Sequence, residues 1–304
     1  MTNTKTITVN DTLNILHHVG VINTNLNTLA EKYEKLGFLL SPVSIPKIIL
    51  EPGGYPEALG IGNIHAIFEN NYIELLGIVD ANRWKNIPKD NLGPYNIDPP
   101  LKRYEGLHVM HFGTNHIELI KQRFGELEIS CSEIKHFQRN VQTEAGEQTM
   151  KARTIAFLPD TNPEGLLQVA QTDTPELVFQ PQHMIHSNGA IRLIEHILCC
   201  ADPEQVAKKY EKLSGHRGVK IKNNYFIIDL GDSKIIVFAP EYLAEIVPNY
   251  TPPTIPFMVA FTIETSDLQL AKNVLFKNSV SFMEKNGKII VGPNDAGGCA
   301  VIFK

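Results

Sequence analysis

Cysteine is scarce in this chain, and its four copies, Cys131, Cys199, Cys200 and Cys299, form no Cys-Xaa-Xaa-Cys pair. That excludes a zinc knuckle or a dithiol redox motif of the usual spacing. Cys199 and Cys200 sit in the apolar run Ile197 to Ala201 and read as small strand residues. Long apolar runs are missing as well, since none approaches the ~20 residues that a membrane span needs. The start, Met1 to Asp11, is polar and lacks the apolar stretch of a signal peptide. A cytoplasmic location is expected. There is no basic stripe with interleaved aromatics, and the net charge is −5 with a pI near 6.1. Nucleic acid and anionic membranes are therefore not expected partners, because phosphate binding needs clustered Lys and Arg. The sequence holds no Gly-Xaa-Ser-Xaa-Gly elbow and no His-Glu-Xaa-Xaa-His pair. Its loop glycines (53–54, 60–62, 292–298) lack the strand-to-helix setting of a phosphate loop.

What the chain does contain is a packed core and a repeat. Hydrophobic residues make up 43% of the 304 and charged residues 20%, which suits globular structure and allows two domains. His17-His18-Val19-Gly20-Val21 precedes Ala30 to Gly37, and Glu195-His196-Ile197-Leu198-Cys199 precedes Ala207 to Gly215. Both copies run apolar strand, Asn or Asp turn, then a helix carrying Tyr-Glu-Lys-Leu and closing on Gly. Leu26, Leu29, Ala30, Tyr33 and Leu36 share one helical face. Gly37 and Gly215 read as helix stops. Strands follow at 62–69 and 71–79, and at 225–230 and 234–238 in the second copy. A further unit in each half has strand 107–114, helix 117–124 and strands 152–158 and 165–171, or strand 257–263, helix 268–276 and strands 288–291 and 299–303. The fold class is α+β, with four tandem βαβββ-like modules. Stretches 86–100, 173–189 and 242–256 read as linkers from their prolines and turn residues. The middle one separates two expected domains, 12–178 and 189–304.

Several stretches together carry a family resemblance. They are His17 to Val21, Gly62-Asn63-Ile64-His65, Tyr72-Ile73-Glu74-Leu75-Leu76, Phe137-Gln138-Arg139, Gln171 with Thr174 to Phe179, and His186-Ser187-Asn188-Gly189-Ala190. In this order and spacing the chain resembles the vicinal oxygen chelate superfamily, and within it the glyoxalase-like-domain proteins, over roughly residues 13–240. The superfamily includes glyoxalase I, extradiol dioxygenases and bleomycin-binding proteins. The resemblance implies modules paired into two curved, open-barrel sheets with helices outside. It also implies a divalent metal in the cleft, held by His from first strands and Glu from last strands.

Strand alternation selects the candidates. If Val19 and Val21 pack on the helix, His18, Gly20 and Ile22 face the cleft. On the later strand Tyr72, Glu74 and Leu76 do the same. A carboxylate between Ile73 and Leu75 is costly without a partner, so His18 and Glu74 form the lead metal pair. A metal-free hydrogen bond between them is the competing reading. Imidazole with carboxylate suits Fe, Mn, Zn or Ni. Aligning the second unit on the first puts Val109 in the place of His18 and His111 on the face of Gly20. His111 is a third candidate ligand, whereas His108 points the other way. Gln168 or Gln171 could add an oxygen. Related sequences continue this strand as Gln-His, but here Thr172 follows Gln171, which removes an imidazole. Glu74 is also the candidate catalytic base, and Arg139 a candidate for a substrate carboxylate or a surface ion pair. In the second half His196 is expected in the place of His18 as a core residue, and no Glu matches Glu74. The expected function is a metal-dependent glyoxalase- or dioxygenase-like enzyme (lyase, isomerase or dioxygenase) on a small oxygenated substrate. The alternative is a metal-free small-molecule binder of the bleomycin-resistance type. A homodimer is a further expectation.

Overall fold

The computed structural model describes residues 11–51, 53–90 and 92–304, so the N-terminal stretch up to residue 10 lies outside the described residues. Among the described residues the chain forms four modules. The first runs β1 (Ile15–Asn23), α1 (Leu26–Lys35), a small ribbon of β2 (Lys47–Ile49) and β3 (Pro56–Ala58), then β4 (Ile61–Ile67) and β5 (Tyr72–Ile78). Short helices α2 (Ala81–Asn86) and α3 (Asp98–Arg103) lead to the second. That module comprises β6 (Gly106–Gly113), α4 (Ile117–Glu126), β7 (Lys135–Thr143), β8 (Gly146–Ala156) and β9 (Leu166–Thr172). After α5 (Pro175–Val178) the third has β10 (Ala190–Cys199), α6 (Pro203–Ser214), β11 (Gly218–Lys222), β12 (Tyr225–Asp229) and β13 (Lys234–Phe238). Helix α7 (Leu243–Ile246) precedes the fourth, which is β14 (Phe257–Thr265), α8 (Leu268–Lys277), β15 (Phe282–Lys285), β16 (Lys288–Val291) and β17 (Ala300–Phe303).

The first two modules share one sheet, ordered β4-β5-β1-β6-β9-β8-β7, and the last two another, ordered β11-β12-β13-β10-β14-β17-β16-β15. Within each module the first strand runs parallel to the last. Paired modules meet antiparallel along their first strands, β1 with β6 and β10 with β14. Each sheet is thus a pseudo-two-fold pair of modules, curled into an open half-barrel with its helices outside.

Local chemistry fixes the helices. The Asn25 side chain accepts from the Thr28 N–H and starts α1, and Asp202 does the same for Gln205 and α6. Gly215, at φ 83°, closes α6 in the left-handed region where a side chain would strain. Leu26, Leu29 and Tyr33 of α1 and Ala207, Tyr210 and Leu213 of α6 are buried in one core with Val19, Val21, Ile235 and Val237. Full burial of each large side chain contributes about 1.5–3 kcal/mol.

That core joins both halves, and polar ties reinforce it. Asn188 donates to the Leu36 carbonyl and accepts from the Ala190 N–H. His186 bonds the Leu39 N–H and the Ile67 carbonyl through its two ring nitrogens. The His-Ser-Asn-Gly turn is therefore a clamp on the end of α1. Asn71 exchanges two hydrogen bonds with Leu193 of β10.

The faces turned away from the helices differ between the sheets. On the second, Ile197, Cys199, Ile236, Phe238 and Ile302 pack with Leu243, Val247 and Tyr250 into solid apolar core. On the first, packing is apolar only at one end, around Ile22, Ile61, Trp84, Ile97 and Val109. The rest is hollow. Residues 135–143 form β7, which their mostly exposed, polar composition conceals. One expectation needs correction here. Residues 86–100 do more than link modules, because Pro94, Tyr95 and Ile97 wall the hollow.

Candidate functional site

The hollow is a cavity of about 540 Å³, within the usual range of about 300–1,000 Å³ for small-molecule sites. Its polar end is built from four neighbouring strands. On β5, Tyr72, Glu74 and Leu76 line it, and Ile73 and Leu75 enter the helix-side core. On β4, Asn63, His65 and Ile67 line it, with His65 directly opposite Glu74 in the ladder. On β6, Val109 and His111 face in, and His111 pairs with His18 of β1. Strand β1 shifts register between Leu16 and His18. That bulge, of the kind that re-aims side chains beside active sites, turns both His17 and His18 to the cavity.

Glu74 is the centre of the cluster. Its Oε2 lies 3.8 Å from His18 Nε2, and its Oε1 lies 3.9 Å from His65 Nε2. Both exceed hydrogen-bond length. Asn63 does bond it, with Nδ2 donating to Oε1 at 2.9 Å. The His18 ring stacks on Tyr72 and lies 4.0 Å, centroid to centroid, from His111. His17 Nδ1 and His18 Nδ1 are 2.7 Å apart, so one of them carries a proton and the other accepts it. His17 Nε2 is 3.0 Å from Thr172 Oγ1. When His18 Nδ1 is the donor, its Nε2 presents a lone pair toward Glu74. Two buried polar atoms here have no hydrogen-bond partner, Asn63 Oδ1 and His111 Nδ1.

Burial governs the titration. It pushes His17 down to about 4, and His65 and His111 to about 3, with Arg139 adding to the effect at His65 and His17 at His111. It pushes His18 well below its ordinary value, helped by repulsion from His111, His17 and His65. These imidazoles are neutral at pH 7, the form that binds metals. Burial raises the Glu74 carboxyl, against the lowering pull of Asn63 and of the Arg139 charge. Tyr72 is raised far out of reach, by burial and then by Glu74.

The candidate residues separate clearly. His18, Glu74, His111 and Arg139 all reach this cavity. Gln171 does not, which corrects its assignment as a ligand. Its Oε1 accepts from the Ile117 N–H at the start of α4, and its Nε2 donates to Asp173. Strand parity is the cause, since Leu166, Gln168, Ala170 and Thr172 are the residues of β9 that face in. Val109 stands seven residues before the α4 cap His116, as His18 stands before Asn25. The parallel ladders then match Glu74, opposite Gly20, with Gln168, opposite His111. The second module so carries Val109 and Gln168 where the first carries His18 and Glu74. In the third module it is Glu195 that stands seven residues before its cap, Asp202. His196 lies fully buried with both ring nitrogens unbonded, so it is core, as expected, but not in the place of His18.

The donor set of neutral imidazoles and one carboxylate suits a first-row divalent ion. Among the described residues no three His, Cys, Asp or Glu side chains already converge as a metal cluster. His18 and Glu74 face each other at a ligand-like spacing. A third donor has to swing in from His111 or His65, or come from the Gln168 amide. The sequence pattern does not single out His17 or His65. For His65 the available signal is its alternation with Asn63 on a strand beside Glu74.

Comparison with known proteins agrees with this architecture. A family model described as glyoxalase-like domain matches residues 16–214. No curated protein matches the sequence. Similar solved structures include a hypothetical protein from Staphylococcus aureus (TM-score 0.63, 11% identity, 95% of this chain and 98% of that one covered). Another is an Mn(II)-bound glyoxalase from Novosphingobium aromaticivorans (TM-score 0.53, 10% identity, 96% and 82% covered). A third is a mutant 4-hydroxymandelate synthase from Streptomyces coelicolor (TM-score 0.54, 8% identity, 95% and 91% covered). At these identities the likeness is one of fold. Among the described residues no helix is long and apolar enough to cross a membrane.

Proposed function

Because the chain belongs to the glyoxalase-like domain family of the vicinal oxygen chelate superfamily, we propose that it is a metal-dependent enzyme acting on a small molecule with adjacent oxygens. The observation that carries this reading is the largely buried Glu74 carboxylate facing two neutral imidazoles that do not hydrogen-bond to it. An anion so placed calls for a cation. His18 and Glu74 hold the ion in this proposal, with His111 as third ligand and Gln168 beside them. The Mn(II) of the similar glyoxalase makes manganese the first ion to try, with Fe, Zn and Ni behind it. When bound, the ion supplies Lewis-acid polarisation of a carbonyl or a site for dioxygen.

The chain's own groups do the rest. Asn63 fixes Oε1 of Glu74, which leaves Oε2 to accept a proton from substrate. Burial raises the Glu74 carboxyl, which makes it a stronger base than an exposed glutamate. Pro94, Tyr95 and Ile97 wall one side of the cleft. The reaction class is an isomerisation, a lyase step or a dioxygenation.

A second reading has its own observation. Val109 and Gln168 stand where the second module's imidazole and carboxylate belong, which favours a metal-free binding protein. Metal analysis of protein purified without an affinity tag separates the two. The enzyme reading expects about one ion per chain after Mn(II) loading and dialysis, lost in His18→Ala plus Glu74→Gln. An empty wild-type protein contradicts it.

A further inference from the structure

We infer that the first-sheet cavity takes a small monocarboxylate with an apolar body, its carboxylate gripped by Arg139. This rests on the reading of the cleft as a small-molecule site and names the class of molecule. Three charged side chains line the cavity, Lys47, Glu74 and Arg139. Two cations therefore face one carboxylate inside a protein whose net charge is −5. The cleft attracts anions that the rest of the molecule repels.

Among the described residues the Arg139 guanidinium has no ion pair and no hydrogen bond, although it is half-buried. It lines the same cavity as Glu74, His65 and Tyr72. The planar fork of an unpaired arginine matches a carboxylate through two parallel hydrogen bonds. A phosphate monoester brings about two charges and three oxygens, more than one guanidinium satisfies, and Lys47 is exposed at the mouth. The apolar walls include Ile22, Ile61, Leu76, Val109, Met150 and Leu166. They accept an aliphatic or aromatic body and reject a second charge.

The test is calorimetric titration of the full-length, tag-free protein with 4-phenylbutyrate, its neutral amide and 3-phenylpropylphosphonate, with and without Mn(II). The inference expects the carboxylate to bind at least about tenfold tighter than the amide. Arg139→Gln abolishes that preference, and Arg139→Lys keeps part of it. Equal binding of acid and amide, tighter binding of the phosphonate, no binding, or an unchanged preference in Arg139→Gln each overturns it. Failure of the metal reading looks different, because the carboxylate preference then persists without any bound Mn(II). If Mn(II) binds and the preference is absent, this inference fails alone.

Discussion

Lowering the pH from 8 to 5.5 is expected to strip this protein of most of its stability, and the histidines are the reason. His17 and His108 are pushed down to about 4, and His65, His111 and His196 to about 3, in each case chiefly by burial. His18 is lowered as well. An unfolded imidazole titrates near 6.5, so at pH 5.5 about nine-tenths of each is protonated in the unfolded chain and almost none in the folded one. The unfolded state binds more protons, and stability falls as pH falls from about 6.5 toward the folded values. Each of the five imidazoles held at about 3 or 4 then costs about 1.4 kcal/mol at pH 5.5, and the five cost about 7, with His18 acting in the same direction, against a whole stability of about 5–15 kcal/mol. Glu74 works the other way. Its raised carboxyl binds a proton more readily in the folded state, which offsets at most one of the six. Urea unfolding followed by circular dichroism across pH 5–8 measures the slope, about 1.4 kcal/mol per pH unit for each proton taken up. The expected uptake near pH 5.5 is about five protons. His196→Leu lowers it by one and, by removing two unbonded buried nitrogens, leaves stability at pH 8 unchanged or raised. An uptake of two protons or fewer refutes the buried, neutral cluster.

Three further outcomes follow from single contacts. His17→Phe removes the partner of His18 Nδ1 and is expected to weaken Mn(II) binding about 10–100-fold by titration while the circular dichroism spectrum is kept, as loss of an outer-shell partner does. Gly20→Ala puts a methyl 2.7 Å from Val109 Cβ, so it should lower urea-derived stability by about 1–3 kcal/mol; an unchanged midpoint means the two first strands are not this close. Asn188→Ala leaves the Leu36 carbonyl and the Ala190 N–H unpaired in the interior and should cost about 2–4 kcal/mol on the same assay.

The duplicated strand–helix pattern, the helix caps and stops and the facing of His18 and Glu74 are all legible in the amino-acid sequence. They rest on periods of 3.6 and 2 that a single sequence displays. The site departs from its sequence pattern where that parity breaks or where the strand's phase is set by tertiary pairing. A bulge at the start of β1 brings His17 to the same side as His18, and no local residue signals it. Gln171 and Gln168 lie on opposite faces of one strand, and only the ladder shows which meets the cavity. Matching the third module by its apolar run misplaces His196 by one residue, which in a strand is the wrong face. Strand β7, which carries Arg139 and Phe137 to the cavity, is polar and mostly exposed, so its composition does not mark it as a strand.

Whether His18 and Glu74 share an ion is answered by anomalous diffraction. Crystals of tag-free protein grown with Mn(II) should show one peak about 2.0–2.3 Å from His18 Nε2 and a Glu74 carboxylate oxygen, with His111 or Gln168 turned to it. A map with no peak there, in which the imidazole and the carboxylate have closed to hydrogen-bond distance, contradicts a shared ion and the enzyme reading with it.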